Sequence, residues 1–171
     1  LMEALTNKGI QYFVYDRTVP NPTIDNIEEA LEMYRSNHCD GIIAFGGGSP
    51  IDCAKGVAAR VARPQKAIPQ MKGELKVRKK IPPLFAVPTT AGTGSEATLA
   101  AVISNSETHE KYAINDTALI PHVAVLDPLL TVKLPPHITS TTRLTLRAHL
   151  SCFRLTMSVR YRASSMLSTT L

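Results

Sequence analysis

Gly41-Ile-Ile-Ala-Phe-Gly-Gly-Gly-Ser-Pro-Ile-Asp-Cys-Ala-Lys55 runs a short apolar segment straight into three consecutive glycines and then into a helical pattern. Ile42, Ile43, Ala44 and Phe45 form an uninterrupted apolar run, as expected of a strand buried on both faces of a parallel sheet. Gly46, Gly47 and Gly48 carry no side chains, so their amides can approach a pyrophosphate closely and the turn can use positive φ. Ser49 suits the N-cap of the next helix, and Pro50 suits its first position, where a missing N–H is no loss. A helix starting there aims free amides and a positive dipole end at an anion. The residues do not spell GxxxxGK followed by Ser or Thr, which disfavours a P-loop NTPase, and GxGxxG is absent too. Taken alone, the stretch is open to two readings, a phosphate cradle and an ordinary tight turn.

Pro83-Leu-Phe-Ala-Val-Pro-Thr-Thr-Ala-Gly-Thr-Gly-Ser-Glu96 repeats the design: a buried strand, Leu84 to Val87, enters a small polar loop expected to open a helix. Two such strand ends can share the carboxyl edge of an α/β sheet, where ligands bind. The hydroxyls of Thr89, Thr90 and Thr93 suit phosphate and ribose oxygens, and Gly92 and Gly94 keep the backbone accessible. A threonine-rich helix cap without a ligand is the alternative for this segment by itself.

Outward from these two segments the pattern alternates. Leu1 to Lys8 reads as the end of a helix with Gly9 as its C-cap, followed by a strand from Gln11 to Tyr15. A helix follows over Ile24 to Ser36, with apolar Ile24, Ile27, Leu31 and Tyr34, then strand 41–45, the glycine turn and a helix from Pro50 to about Ala62. Strand 84–87, a strand pair near 99–104 and 111–114, and strand 123–127 complete the series. This order predicts an α/β fold, a Rossmann-like parallel sheet with helices on both faces. Residues 63–83 form a basic, proline-punctuated connection, read as a solvated loop face because no aromatic residues interleave its charges as a nucleic-acid surface would require.

The 171 residues are 44% hydrophobic, enough for one domain with a sizeable core. No stretch approaches a transmembrane span and no export signal is visible. Cys39, Cys53 and Cys152 are odd in number and lack CxxC spacing, which suits a reducing cytoplasm and implies no metal. The five histidines never pair at i, i+4.

Together with Val19-Pro-Asn-Pro-Thr23 and Val123-Ala-Val-Leu-Asp-Pro128, these segments resemble the iron-containing alcohol dehydrogenases over about Leu1 to Ile138. The resemblance implies that residues 1–138 form the family's N-terminal dinucleotide-binding α/β domain, ahead of an all-helical metal-binding domain that this chain lacks. It implies that Gly46, Gly47, Gly48 and Ser49 hold the pyrophosphate of NAD or NADP, with Asn21 and Asp52 nearby. Thr89, Thr90 and Thr93 would contact the cofactor from the second loop. Val102 and Lys111, on a strand pair around the Asn105-Ser-Glu-Thr turn, would border the nicotinamide ribose, although Lys111 also reads as a solvated strand lysine. The family's substrate would be a small alcohol or aldehyde, its metal iron or zinc, and a homo-oligomer its assembly, with no nucleic acid or membrane as partner.

Beyond residue 138 the pattern departs from the family. Where relatives carry an Asp and, four positions later, a His on one helix face, the chain reads Arg143-Leu-Thr-Leu-Arg-Ala-His-Leu150, and no Asp or Glu follows Asp127. His149 is thus expected to be no metal ligand, and no metal-ligating or catalytic residue is expected in this chain. All 14 acidic residues precede position 139, whereas residues 139–171 hold five arginines and thirteen Ser or Thr with no lysine, glycine or proline. Such a tail reads as translation in a shifted frame, with a basic arm or a divergent docked helix as alternatives. A first strand carrying the acidic residue that distinguishes NAD from NADP is expected ahead of Leu1. Two functions follow: an NAD(P)-dependent alcohol dehydrogenase by lineage, and for this chain a nucleotide-binding remnant without catalysis.

Overall fold

The computed structural model describes residues 1–132, 134, 135 and 138. Three apolar runs build the first sheet: β1 (Ile42–Gly46) pairs in parallel with β3 (Leu84–Pro88), which pairs in parallel with β6 (Val123–Ala124). The second sheet sets β2 (Gly73–Glu74) parallel to β5 (Lys111–Asn115), which runs antiparallel to β4 (Ala100–Ser104). Helix α1 (Met2–Asn7) opens the described chain, and α2 (Ile24–Ser36) packs on α3 (Gly48–Ala62). The α/β class with a parallel sheet therefore holds.

Helix α3 organises the fold, touching β1, β3, β4 and α2. Every residue from Ile51 to Ala59 is buried. A helix enclosed on all sides must be apolar and narrow, which explains Cys53, Ala54, Gly56, Val57, Ala58 and Ala59. At Gly56 an added Cβ would lie 2.5 Å from Ile27 Cδ1, so the missing side chain is what lets α2 settle against α3. Asp52 and Lys55 are the polar exceptions inside this stretch.

A capping box starts α2 where the sequence places it: the Thr23 hydroxyl accepts from Asn26 N at 3.2 Å, and Asn26 Oδ1 accepts from Thr23 N at 3.3 Å. Asn26 also accepts from Val19 N and donates through Nδ2 to Arg17 O and to the Tyr15 hydroxyl, pinning residues 15–23 beside the helix.

Several boundaries differ from expectation. Gln11 to Tyr15 forms no strand ladder; side-chain bonds from Asn26, not a neighbouring strand, hold Tyr15 and Arg17. The threonine loop opens no helix, because Gly92 (φ 110°) and Gly94 (φ 70°) take the left-handed region and the chain turns through Ser95 to Ala97 into β4. Strand 123–127 shortens to Val123–Ala124, since Asp127 caps a 3₁₀ turn that starts at Pro128. Residues 63–83 are not wholly a solvated face: Ile68, Met71, Val77 and Ile81 reach the core while Lys79 and Lys80 stay exposed.

One side of the first sheet is covered among the described residues, and the other is covered only at Val87. Ala44, Leu84 and Ala86 are buried. Ile43, Phe45, Phe85 and Val123 project from the opposite face and are exposed.

Candidate functional site

The glycine turn and the threonine loop meet at the carboxyl ends of β1 and β3, where adjacent parallel strands leave a crevice. Thr89 N donates to Gly46 O at 2.9 Å, tying the loop to the turn at its first residue. Gly46 has φ 149°, and a Cβ there would fall 2.7 Å from Pro50 Cγ, so glycine is required at that position. A Cβ on Gly47 would lie 3.1 Å from Thr90 Cγ2, and one on Gly48 would lie 3.3 Å from Ser95 Oγ. The two loops are thus packed so closely that a side chain on Gly47 or Gly48 would make its neighbour give by a few tenths of an ångström.

Helix α3 starts two residues earlier than the sequence suggests. Gly47 is the N-cap, Ser49 and Pro50 lie inside the first turn, and no side chain caps it. Glycine tolerates the N-cap conformation, and the turn's amides are left for another acceptor. Ser49 is used differently: its hydroxyl accepts from Asn21 N at 3.1 Å, which brings Asn21 (φ 57°) to the turn. Packed against Gly47 and Gly48, Thr90 and Thr93 carry buried hydroxyls with no hydrogen-bond partner among the described residues. Buried polar atoms are nearly always paired; the Ser104 and Tyr112 hydroxyls are unpartnered too, but only those of Thr90 and Thr93 lie beside an uncapped helix start.

Asp52 joins the threonine loop to β4. Its Oδ2 accepts from Val102 N at 3.3 Å, and Ser95 donates to it as well. Burial pushes its carboxyl up to about 6, against the lowering influence of Lys55 and of these two hydrogen bonds. Val102 and Lys111 lie on the strand pair as expected, Val102 opposite Ala113 and Lys111 opposite Ser104, on the face away from the buried Ile103 and Tyr112. The structure thus gathers Asn21, Gly46, Gly47, Gly48, Ser49, Thr89, Thr90 and Thr93 around one turn, with Asp52 linked to the loop through Ser95 and to β4 through Val102. Sequence reasoning passed over Lys55, whose signal was a lysine one turn after an aspartate on an alanine-rich helix.

A cleft of about 220 Å³ opens beside the threonine loop, lined by Thr90, Gly92, Glu96, Asp127 and Thr131 among others. A larger one of about 460 Å³, between residues 75–81 and 116–122, is lined by Arg78, Lys79 and Lys80 of the basic connection and by none of the expected cofactor-binding residues. Among the described residues no group of three or more His, Cys, Asp or Glu could hold a metal ion. No helix of the described residues is long and apolar enough to cross a membrane. Cys39 and Cys53 are free thiols, Cys53 being raised to about 11 by burial. The expectations for His149, Cys152 and residues 139–171 lie outside the described residues.

An α/β domain whose glycine turn opens a helix against a second, threonine-bearing strand end defines a class of ligand-binding proteins rather than one activity. The pattern of the iron-containing alcohol dehydrogenases matches residues 1–128, and the chain belongs to that family. It is 34% identical over 158 residues to a choline dehydrogenase of Bacillus subtilis, covering 91% of this chain and 39% of that protein. It is 40% identical over 149 residues to a probable alcohol dehydrogenase, EutG, of Escherichia coli, covering 87% and 38%. Among solved structures, a 1,3-propanediol oxidoreductase superposes with a TM-score of 0.80 at 35% identity, covering 84% of this chain and 37% of that one. A sulfoacetaldehyde reductase from Bifidobacterium kashiwanohense in complex with NAD+ superposes at 0.73 with 34% identity, covering 84% and 39%. The chain spans under two fifths of the length of each of these relatives.

Proposed function

We propose that residues 1–138 bind a nicotinamide dinucleotide, NAD or NADP, across the β1–α3 turn and the threonine loop. The observation that carries this reading is the pair of buried, unpartnered hydroxyls of Thr90 and Thr93 beside the uncapped start of α3. Gly47 and Gly48 expose their backbone to the pyrophosphate, the first-turn amides and helix dipole receive its charge, and the Thr90 and Thr93 hydroxyls donate to its oxygens. Asn21, anchored through Ser49, closes the side of the turn. Val102 and Lys111 border the ribose next to the nicotinamide.

When bound, the dinucleotide supplies the hydride acceptor or donor of an oxidoreduction between a small alcohol and its aldehyde. The chain's own share is to hold and orient that cofactor. The described residues offer no cluster for iron or zinc, so no step is assigned to a metal, and purified chain is expected to give no alcohol-dependent NAD(P) reduction. The free thiols Cys39 and Cys53 fit a reducing cytoplasm, with neither nucleic acid nor membrane as partner.

NADH fluorescence titration tests this. Thr90→Val and Thr93→Val remove only a hydroxyl each and should raise Kd by roughly 3- to 10-fold apiece, the effect of one lost hydrogen bond. Gly47→Val should raise it further, since its side chain enters both the ligand's approach and the Thr90 contact. Equal binding by all four proteins would reduce the two loops to a packed turn.

A further inference from the structure

We infer that Lys55 is a positioning residue for the dinucleotide site: its buried ammonium grips the end of the threonine loop and the edge of β4, holding Thr90 and Thr93 over the start of α3. The ligand in this statement rests on the dinucleotide reading above; the grip itself does not. Lys55 is completely buried, and its Nζ donates to Thr98 O at 2.6 Å, Ala100 O at 2.9 Å and Thr98 Oγ1 at 3.1 Å. An ammonium has three donors and meets three acceptors, so the group is saturated. One turn earlier on the same helix, Asp52 accepts from Val102 N and from Ser95. Ser104 N is taken by Pro22 O at 2.9 Å. The side of β4 turned away from β5 is therefore satisfied by α3 and its neighbour segment in place of another strand.

The loop is fastened at both ends to the same unit. Thr89 N bonds to Gly46 O at one end, and Lys55 takes Thr98 and Ala100 at the other. Between these points Ser95 also donates to Asp52, and Leu99 O accepts from Asp116 N at 3.1 Å, while Gly92 and Gly94 leave the backbone of 90–94 free to shift, so Lys55 is the charged member of a small set of fastenings that place Thr90 and Thr93.

A lysine that only filled the core would affect stability without a separate effect on the loop, and pH separates the two. Burial pushes Lys55 down to about 8, opposed by Asp52 on its own helix and Glu96 on the loop, the charged groups that act on it. The deprotonated amine keeps two N–H groups for three acceptors and loses its charge, so the grip weakens as pH rises through about 8. The unfolded chain holds this proton up to the ordinary lysine value of 10.5. Between those two values the unfolded state binds more protons, so this residue makes the fold more stable as pH rises. Loop order and ligand affinity should therefore fall where Lys55's contribution to stability increases.

The test uses the full 171-residue chain. NADH affinity, urea midpoint and hydrogen exchange over residues 89–100, corrected for intrinsic rates, are measured at pH 7 and pH 9.5 for the natural chain and Lys55→Met. The natural chain should bind NADH about tenfold more weakly at the higher pH, the effect of one charge-assisted hydrogen bond. Lys55→Met should be about tenfold weaker already at pH 7 and flat with pH, with faster exchange confined to 89–100. Unchanged affinity and exchange in the variant, or in the natural chain across the two pH values, would overturn the inference while leaving the dinucleotide reading intact. If Lys55→Met does not fold, the natural chain's pH comparison decides. If NADH fails to bind at any pH, the dinucleotide reading falls, and exchange over 89–100 still supports or overturns the grip.

Discussion

Asp52 is a carboxylate enclosed by a helix of alanines, and its chemistry follows from that enclosure. Its folded value of about 6 stands above the ordinary 3.8, so the folded chain keeps this proton to higher pH than the unfolded chain does. Its contribution to stability is therefore fully present below the ordinary value and is lost as pH rises through about 6. Asp52→Asn, which keeps an oxygen for Val102 N, should flatten the decline between pH 4 and pH 7 in urea unfolding experiments. An unchanged slope would mean that the carboxylate is better solvated than its burial indicates. The residue was visible in the sequence, but its partner was not. Asp52 reads as a neighbour of the glycine turn because the two are adjacent in the chain, whereas the groups that bond it, Ser95 and Val102, lie 43 and 50 positions away. Lys55 was missed for the same reason: the carbonyls that justify burying an ammonium come from a loop 43 to 45 residues downstream.

At the level of elements, legibility followed local chemistry. Thr23 with Asn26, and Ile27 with Leu31, carry the cap and the spacing of α2 within its own residues, and the apolar runs of β1 and β3 stand where their composition puts them. Gln11 to Tyr15 failed because a strand requires a partner, and composition cannot supply one. The start of α3 was misplaced because Ser49, the better cap by propensity, is recruited to hold Asn21. The α2–α3 contact yields a prediction at this scale. Gly56→Ala gains about 1 kcal/mol of helix propensity, but its Cβ would press on Ile27, which is fully buried, an overpacking worth roughly 1–3 kcal/mol. Net destabilisation of about 1 kcal/mol is expected in urea unfolding. Adding Ile27→Val should recover part of it, giving a coupling between the two sites. Strict additivity would show that α2 shifts freely on α3.

Across the whole molecule, the parallel sheet presents a row of apolar side chains in register, Ile43 beside Phe85 beside Val123, with Phe45 two residues along β1. All four are exposed among the described residues, and contiguous apolar surface of this kind drives association. Sedimentation velocity should find the chain associating with rising concentration, and Phe85→Ser should shift it toward monomer without lowering its urea midpoint by more than about 0.5 kcal/mol. A chain that stays monomeric at every concentration would show that the face is covered in solution. The alternation that predicts helices on both faces of the sheet was legible, and α3 supplies one of them.

The manner in which β4 is completed sets limits on that association. A growing fibril or a swapped partner adds a strand by matching a row of vacant amides and carbonyls at a spacing of about 4.8 Å. On the side of β4 away from β5, Ser104 N, Val102 N and Ala100 O are already occupied by Pro22, Asp52 and Lys55. With those groups taken, the border is a poor template for an added strand, so association of copies is expected through side chains on the first sheet's open face and not by extending the second sheet past β4.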